Sequence, residues 1–226
     1  MTYKLAGLVE GDRAAVVAIF NHFVQHSFAA YPEQPVGDEF FDRVLELSKG
    51  YPAISAKTDA GDVVGFGFLR AFHPAGTFRR TAEVAYFLLP EHTGRGLGLR
   101  MLTHFIKEAR AMGIDSLLAS VSSLNEQSLR FHANAGFERC GTFRAVGRKS
   151  GRDFDVVWFQ KRLLVTLSAL LPLDRKVFEP RGVTSSPLPA PRHWSAREHW
   201  PGSRRRGSRG RTSSSSTCAD GRVPLP

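Results

Sequence analysis

The stretch Thr93-Gly94-Arg95-Gly96-Leu97-Gly98-Leu99 lies between an apolar run, Val84–Leu89, and a segment with helical spacing, Leu97–Met112. A strand that leads into a glycine-rich turn, which then opens a helix, points several backbone N–H groups at one spot. The positive end of the helix dipole lies at that same spot, so the arrangement suits a phosphate group. The sequence therefore predicts that this protein holds a phosphorylated ligand at the turn.

Charge is distributed unevenly along the 226 residues, which carry a net charge of +10. Residues 181–226 hold 9 Lys+Arg against 2 Asp+Glu, a net of +7, and residues 1–180 hold 22 against 19, a net of +3. The folded part is therefore only mildly basic. Because the segment after about residue 180 is rich in Pro, Ser, Arg and Gly and lacks an apolar period, we expect a disordered tail at 181–226.

The composition also predicts the cellular compartment of the protein. A hydrophobic fraction of 42% fits a soluble globular protein. No apolar run approaches the ~20 residues of a membrane helix, and the first residues lack an apolar signal core. Cys140 and Cys218 lie far apart, as expected in a reducing compartment rather than in a disulfide framework or a metal cluster. We expect a cytoplasmic protein that binds neither membrane nor metal.

Hydrophobic periodicity predicts one α+β domain at about 1–165, followed by a short apolar extension at 166–180 with helical potential. The predicted strands are Tyr3–Val9, Ala53–Lys57, Val63–Phe72, Thr81–Leu89, Ser116–Val121, Phe137–Val146 and Asp153–Leu163. The predicted helices are Asp12–Ala29, Asp38–Lys49, Leu97–Met112 and Asn125–Ala135. Strands dominate both ends with helices between them, which favours a mixed sheet over a doubly wound fold.

Several packing details follow from the same pattern. Asp12 is expected to cap the first helix, and the second helix is expected to bury Phe41, Val44 and Leu45. The third helix should turn five residues inward, namely Leu99, Leu102, Phe105, Ile106 and Ala109. Gly65 and Gly67 interrupt an apolar strand, which indicates close approach of another backbone.

A second motif accompanies the glycine turn. Asn125-x-x-Ser128-x-x-x-His132-x-x-x-Gly136-Phe137 lies on the fourth predicted helix, and Glu83 lies on the strand before the turn. Together with Phe78-Arg79-x-Thr81-x-Glu83 and the late Gly147-x-Lys149-x-Gly151-x-x-x-Asp155, these segments resemble the GNAT acyltransferase superfamily. The resemblance runs from about Leu8 to Leu163 and is strongest to its phosphinothricin acetyltransferase-like branch, which includes amino-acid N-acyltransferases.

This resemblance implies a three-layer fold, a central mixed, mostly antiparallel sheet flanked by helices. It implies acetyl-CoA as the co-substrate, with pantetheine lying in a gap between two splayed parallel strands, Thr81–Leu89 and Ser116–Val121. It also implies a homodimer. The cofactor-binding residues carried over are Tyr86, Phe87, Leu88, Gly94, Arg95, Gly96, Leu97, Gly98, Leu99, Asn125 and Asn134. Thr93 departs from the superfamily, which usually has Gln or Arg there.

Two residues are candidates for catalysis. Glu83 lies in an otherwise apolar strand and is the predicted general base that deprotonates the attacking amine, the alternative being an outward-facing strand residue. By resemblance, His132 is the general acid or sulfur hydrogen-bond donor, unless it only joins a hydrogen-bond network. Two roles are considered for Asn125: it either caps the fourth helix or contacts the cofactor.

The predicted reaction is acetyl transfer by direct attack of a small amino acid or analogue of the phosphinothricin or methionine sulfone type. The predicted acceptor-binding residues are Tyr31, Phe72, His73, Phe78 and Arg79, of which Arg79 is suited to pair with a carboxylate. A peptide N-terminus or a polyamine is the alternative acceptor: an enclosed cationic pocket favours the amino acid, and an open acidic groove favours the others. Two further alternatives are nucleic-acid binding through the basic tail and a regulator that binds acyl-CoA without catalysis.

Overall fold

The computed structural model describes residues 2–163, so the predicted extension at 166–180 and tail at 181–226 lie outside the described residues. The strands are β1 (Tyr3–Gly7), β2 (Ala53–Thr58), β3 (Val63–Ala71), β4 (Thr81–Leu88), β5 (Ser116–Ser122), β6 (Glu138–Lys149) and β7 (Arg152–Arg162). The helices are α1 (Arg13–His26), α2 (Glu39–Leu47), α3 (Leu97–Ala111) and α4 (Glu126–Asn134). All predicted strands and helices are confirmed, with ends that shift by a few residues.

The strands form one mixed sheet in the order β1-β2-β3-β4-β5-β7-β6. Neighbours are antiparallel except β4 and β5, which run parallel. Two apolar cores lie on opposite faces of this sheet: α1 and α2 cover one, and α3, with partly buried residues of α4, covers the other. The predicted α+β class and the three-layer arrangement are therefore confirmed.

The parallel pair separates soon after it forms. β4 and β5 pair only at Thr81 with Ser116, Ala82 with Leu117 and Glu83 with Leu118. Beyond Glu83, β4 stays paired with β3 up to Leu88, whereas β5 stays paired with β7 up to Ser122. The sheet therefore opens into a V whose apex lies at Glu83.

The glycines of β3 allow close contact with β4, as predicted. A Cβ on Gly65 would lie 2.8 Å from the Phe87 carbonyl oxygen, and one on Gly67 would lie 2.8 Å from the Ala85 carbonyl oxygen. A side chain at either position would push β4 away. The two glycines therefore help to fix the strand that forms one arm of the V.

Three packing predictions are wrong. Asp12 makes no side-chain cap on α1; its carboxylate instead accepts a hydrogen bond from Ser55 Oγ at 2.9 Å and pairs with Lys57 Nζ at 2.7 Å. Leu45 is 40% exposed and Leu99 is 54% exposed, although helical spacing placed both inward. On α3 the buried positions begin with Leu97 and Met101, which turns Leu99 away from the core.

No helix within residues 2–163 has the length and apolar character required to cross a lipid bilayer.

Candidate active site

The glycine turn has the geometry of an anion site. After β4, a short 3-10 turn at Pro90–His92 leads to Gly94 and Gly96, whose φ angles are +69° and +76°. Both lie in the left-handed region, which glycine adopts without steric cost. α3 begins directly afterwards, and no side chain among residues 2–163 caps its first turn. Its N-terminal N–H groups are therefore not satisfied by a side-chain cap and lie beside the turn.

A groove of about 540 Å³ runs from this turn toward α4. It is lined by most of the predicted cofactor-binding residues, namely Tyr86, Phe87, Leu88, Gly94, Gly96, Gly98, Leu99, Asn125 and Asn134. The exposed side chain of Leu99 also lines this groove and therefore does not pack in the core. Thr93 also lines the groove.

Two predicted residues do not line the groove. Leu97 is buried in the core beneath α3, so only its backbone is suited to a cofactor contact. Arg95 is exposed in the turn. A neighbouring cation, Arg100, donates from Nη2 to the Tyr3 carbonyl oxygen at 2.9 Å and is thereby held against β1.

Glu83 lies at the apex of the V, in a second cavity of about 580 Å³. Its side chain is only 10% exposed. Oε2 accepts hydrogen bonds from Arg70 Nε at 3.1 Å and Nη2 at 2.7 Å, and Oε1 accepts one from Ser120 Oγ at 3.1 Å. The carboxylate is therefore held in one orientation by β3 on one side and β5 on the other.

The groove and the Glu83 cavity adjoin. They share five lining residues, namely Ala29, Tyr86, Phe87, Asn125 and Ser128. Asn125 Oδ1 also accepts a hydrogen bond from the Ser128 N–H at 3.2 Å and so caps α4. Of the two roles considered for Asn125, the helix N-cap is confirmed, and the residue also lies where the two spaces adjoin.

His132 lies beside this junction, and both of its ring nitrogens are engaged. Nδ1 lies 2.8 Å from the Ser128 carbonyl oxygen, and Nε2 lies 2.7 Å from the Tyr86 hydroxyl. A carbonyl oxygen only accepts, so the proton of the neutral ring belongs on Nδ1, and Tyr86 donates to Nε2. Burial lowers the pKa of His132, an effect that the Ser128 carbonyl partly opposes, and burial raises the pKa of Tyr86.

The predicted acceptor residues separate into two groups. Tyr31 lines the Glu83 cavity; burial raises the pKa of its phenol, a hydrogen bond with Ser120 partly offsets this, and the Glu83 carboxylate raises it further. The other four lie around the loop between β3 and β4 and line neither cavity: Phe72, His73, Phe78 and Arg79. The ring of Phe78 contacts those of Phe72 and His73, at 5.8 Å and 4.8 Å between centroids.

Sequence reasoning missed four polar residues of the Glu83 cavity, namely Arg43, Arg70, Ser120 and Ser122. Arg70 could have been found from the sequence. If the predicted strands on either side of the β3–β4 loop pair residue by residue from the loop outward, Arg70 lies opposite Glu83, which is the register observed. Arg43 lies one helical turn from Phe40, which also lines the cavity. Ser120 depends on the pairing of β5, for which the sequence carried no signal.

Among residues 2–163, no group of three or more His, Cys, Asp or Glu side chains is placed to hold a metal ion. Cys140 is a free, exposed thiol.

Residues 16–137 match the sequence profile of the acetyltransferase (GNAT) family. The chain is 33% identical to an L-methionine sulfoximine/L-methionine sulfone acetyltransferase of Pseudomonas paraeruginosa, over 70% of this chain and 93% of the relative. Among solved structures, a GNAT phosphinothricin acetyltransferase of Sinorhizobium meliloti in complex with acetyl-CoA is 29% identical, with a TM-score of 0.67 over 72% of this chain and 89% of that one. A ribosomal-protein-alanine N-acetyltransferase of Brucella melitensis is 32% identical, with a TM-score of 0.65 over 70% of this chain and 99% of that one.

Proposed function

Because this chain belongs to the acetyltransferase (GNAT) family and is an N-acetyltransferase that uses acetyl-CoA, we propose that its acceptor is the primary amine of a small amino acid or analogue. The observation that carries the proposal is the junction of two spaces. A groove that begins at an uncapped helix N-terminus adjoins a cavity in which a carboxylate is held in place. The relatives named for methionine sulfoximine, methionine sulfone and phosphinothricin support an amino-acid acceptor.

Acetyl-CoA supplies the activated acetyl thioester. The N–H groups around Gly94 to Leu99 suit its pyrophosphate, since they lie at the positive end of the α3 dipole. The main chain of β4 from Tyr86 to Leu88 is not paired with β5 and suits the two amides of the pantetheine arm, which would pair with it as an added strand does. The donors and shape of the groove therefore fit this co-substrate.

Glu83 is the general base in this proposal. An ammonium group must lose a proton before its nitrogen attacks the thioester, and the Glu83 carboxylate takes that proton, directly or through one water. The nitrogen loses a second proton as the amide forms, and the departing thiolate takes it. The protons therefore balance without a separate acid, and Glu83 returns its proton to solvent.

The role of His132 in this proposal is to position Tyr86 rather than to act as the acid. The neutral ring carries its proton on Nδ1, which faces the Ser128 carbonyl, so Nε2 has no proton to give. Tyr86, whose hydroxyl contacts Nε2, lines both spaces. Its O–H is the group that can turn from His132 to the departing sulfur and donate a hydrogen bond there.

The charges of the acceptor cavity favour an amino acid over a polyamine. Of its charged lining residues, Arg70 is paired with Glu83, which leaves Arg43 as the excess positive charge. Within residues 2–163, no hydrogen bond or ion pair of the Arg43 side chain is found. Aromatic rings of Phe20, Tyr31 and Phe40 form part of the wall. A deprotonated amino acid carries one negative charge, on its carboxylate, which Arg43 can bind through charge-assisted hydrogen bonds.

A panel of amines tests this proposal by release of free thiol from acetyl-CoA. It contains methionine sulfone, methionine sulfoximine, phosphinothricin, ordinary amino acids, a short peptide and spermidine, with methionine amide as the matched compound that lacks the carboxylate. We expect the highest kcat/KM with a free α-amino acid and a lower value with its amide. The highest value with spermidine would exclude the proposed acceptor class.

A peptide N-terminus is the second candidate acceptor, supported by the name of the relative from Brucella melitensis. An N-terminal peptide residue lacks the adjacent carboxylate that Arg43 is proposed to bind. If the short peptide outperforms every free amino acid in the panel, this second candidate replaces the first.

A further inference from the structure

The segment between α1 and α2, residues 27–38, forms part of the wall of the acceptor cavity although it contains no regular helix or strand. Ala29, Ala30, Tyr31 and Pro32 line the cavity, and Ala29 also lines the cofactor groove. A wall made of irregular backbone has no ladder of hydrogen bonds to fix it. Its position must therefore come from contacts with other parts of the fold.

Lys149, at the end of β6, supplies such a contact. Its Nζ donates to the Ser27 carbonyl oxygen at 2.8 Å and to the Ala30 carbonyl oxygen at 2.7 Å. The residue is only 3% exposed, and burial lowers the pKa of its ammonium, with Glu33 acting in the opposite direction. A buried ammonium is costly unless it is hydrogen bonded, so these two carbonyl groups are strongly bound to it.

The rest of the β6–β7 hairpin adds three further contacts. The Ser150 N–H donates to Glu33 Oε1 at 3.1 Å. The ring of Phe154, on β7, stacks on Tyr31 at 5.6 Å and meets Phe28 at 5.9 Å between centroids. The hairpin therefore holds the wall at its start, at Tyr31 and at Glu33.

We propose that Lys149 is a positioning residue for the acceptor, which fixes the cavity wall 27–33 against the end of the β6–β7 hairpin. This inference rests on the proposed function of the Glu83 cavity as the acceptor site. Lys149 touches neither substrate. It acts by holding the backbone that carries Tyr31, so that an acceptor amine meets a preformed wall opposite Glu83.

The test replaces Lys149 by Met, which keeps the side-chain length and removes the ammonium. The matched control is Arg148→Met, since Arg148 is the preceding residue on the same strand and, within residues 2–163, its side chain pairs only along the hairpin, with Asp153. Steady-state kinetics with methionine sulfone and acetyl-CoA are combined with hydrogen–deuterium exchange of the peptide that covers residues 27–33.

In Lys149→Met, we expect the KM for methionine sulfone to rise roughly tenfold or more, and kcat and the KM for acetyl-CoA to change less than about threefold. Exchange should accelerate in residues 27–33 but not in α1, and Arg148→Met should resemble the parent in both measurements. If Lys149→Met does not fold, Glu33→Ala serves in its place, because it removes the exposed contact with Ser150. In that variant the KM for methionine sulfone should rise about threefold, while the KM for acetyl-CoA stays nearly unchanged.

An unchanged acceptor KM in a folded variant, or an equal rise in Arg148→Met, would overturn the positioning role. Failure of the parent to acetylate any amino acid would instead reject the proposed function. In that case the exchange measurement still decides whether Lys149 holds the wall, because it needs no substrate.

Discussion

Replacing Glu83 by Gln separates the proposed general base from its structural role. The carboxylate accepts three hydrogen bonds, two at Oε2 from Arg70 and one at Oε1 from Ser120. In Glu83→Gln, the side-chain amide can keep its carbonyl oxygen toward Arg70, while its NH2 donates to the hydroxyl of Ser120, which can rotate to accept. The shape and most of the hydrogen bonds survive, and the negative charge and the basic oxygen are lost.

The expected loss in rate follows from general base catalysis, which contributes about 10²- to 10⁴-fold. At about 1.36 kcal/mol per factor of ten, this corresponds to roughly 2.7–5.4 kcal/mol of activation free energy. The cost in stability is smaller: breaking a fully buried ion pair costs about 3–5 kcal/mol, and water around the partly exposed guanidinium reduces this to about 1–2 kcal/mol. The Arg70 side chain is 38% exposed. A large fall in kcat therefore cannot be attributed to unfolding.

The assay follows thiol release from acetyl-CoA with saturating methionine sulfone, and calorimetry gives the Kd of acetyl-CoA. We expect kcat to fall by about two to four orders of magnitude and the Kd to stay within about twofold, since Glu83 lines the second cavity and not the groove that starts at the glycine turn. Raising the pH should restore part of the activity of Glu83→Gln, because solvent then deprotonates the amine. Arg70→Gln removes the same ion pair but keeps the carboxylate, and should lose less. A kcat within threefold of the parent would refute the assignment of Glu83 as the base.

Three further predictions concern the acceptor, pH and packing. Arg43→Met should raise the KM for methionine sulfone about 10- to 100-fold, as expected for a lost charged hydrogen bond, and leave the KM for methionine amide nearly unchanged; equal effects on both would exclude carboxylate binding. Because burial lowers the pKa of His132, the parent should lose stability as pH falls below about 6.5, where the unfolded histidine takes up a proton. His132→Gln has no histidine to protonate at this position. In urea denaturation, the difference in unfolding free energy between parent and variant should therefore be smaller at pH 5.5 than at pH 7.5. A Cβ at Gly147 would overlap the Phe154 ring, so Gly147→Ala should reduce the unfolding free energy by about 1–3 kcal/mol in the same denaturation assay. At Gly141 no atom of residues 2–163 lies within 4 Å of an added Cβ, so Gly141→Ala should cost under about 0.5 kcal/mol.

Local physics explains which parts of this fold were predictable. Gly94 and Gly96 adopt positive φ, a conformation that glycine reaches without steric cost, so the sequence could mark the turn and the start of α3. Gly113, with a φ of +75°, ends α3 for the same reason. At these positions the backbone conformation depends little on distant residues, and the predictions were confirmed.

Predictions failed where a side chain had two physically reasonable partners. Asp12 is a good helix cap, but Ser55 and Lys57 on β2 offer a neutral donor and a cation, and the carboxylate bonds to them instead. Leu99 fits the apolar spacing of α3, yet it lies beside the turn, where a groove rather than a core adjoins the helix. Sequence spacing does not distinguish these outcomes, because both depend on strands that are far away in the chain.

The V between β4 and β5 is the part of the site that cannot be predicted from local sequence patterns. Each strand has a partner on its other side, β3 for β4 and β7 for β5, and each keeps that partner after the two separate. The sheet therefore consists of a four-stranded part and a three-stranded part joined at three residue pairs. Because backbone groups left without a strand partner must bond elsewhere, the β5-facing edge of β4 from Val84 to Leu88 suits the proposed pairing with the amides of an extended pantetheine arm. The acetyl thioester at the end of such a chain would then arrive next to the apex, which is where Glu83 lies.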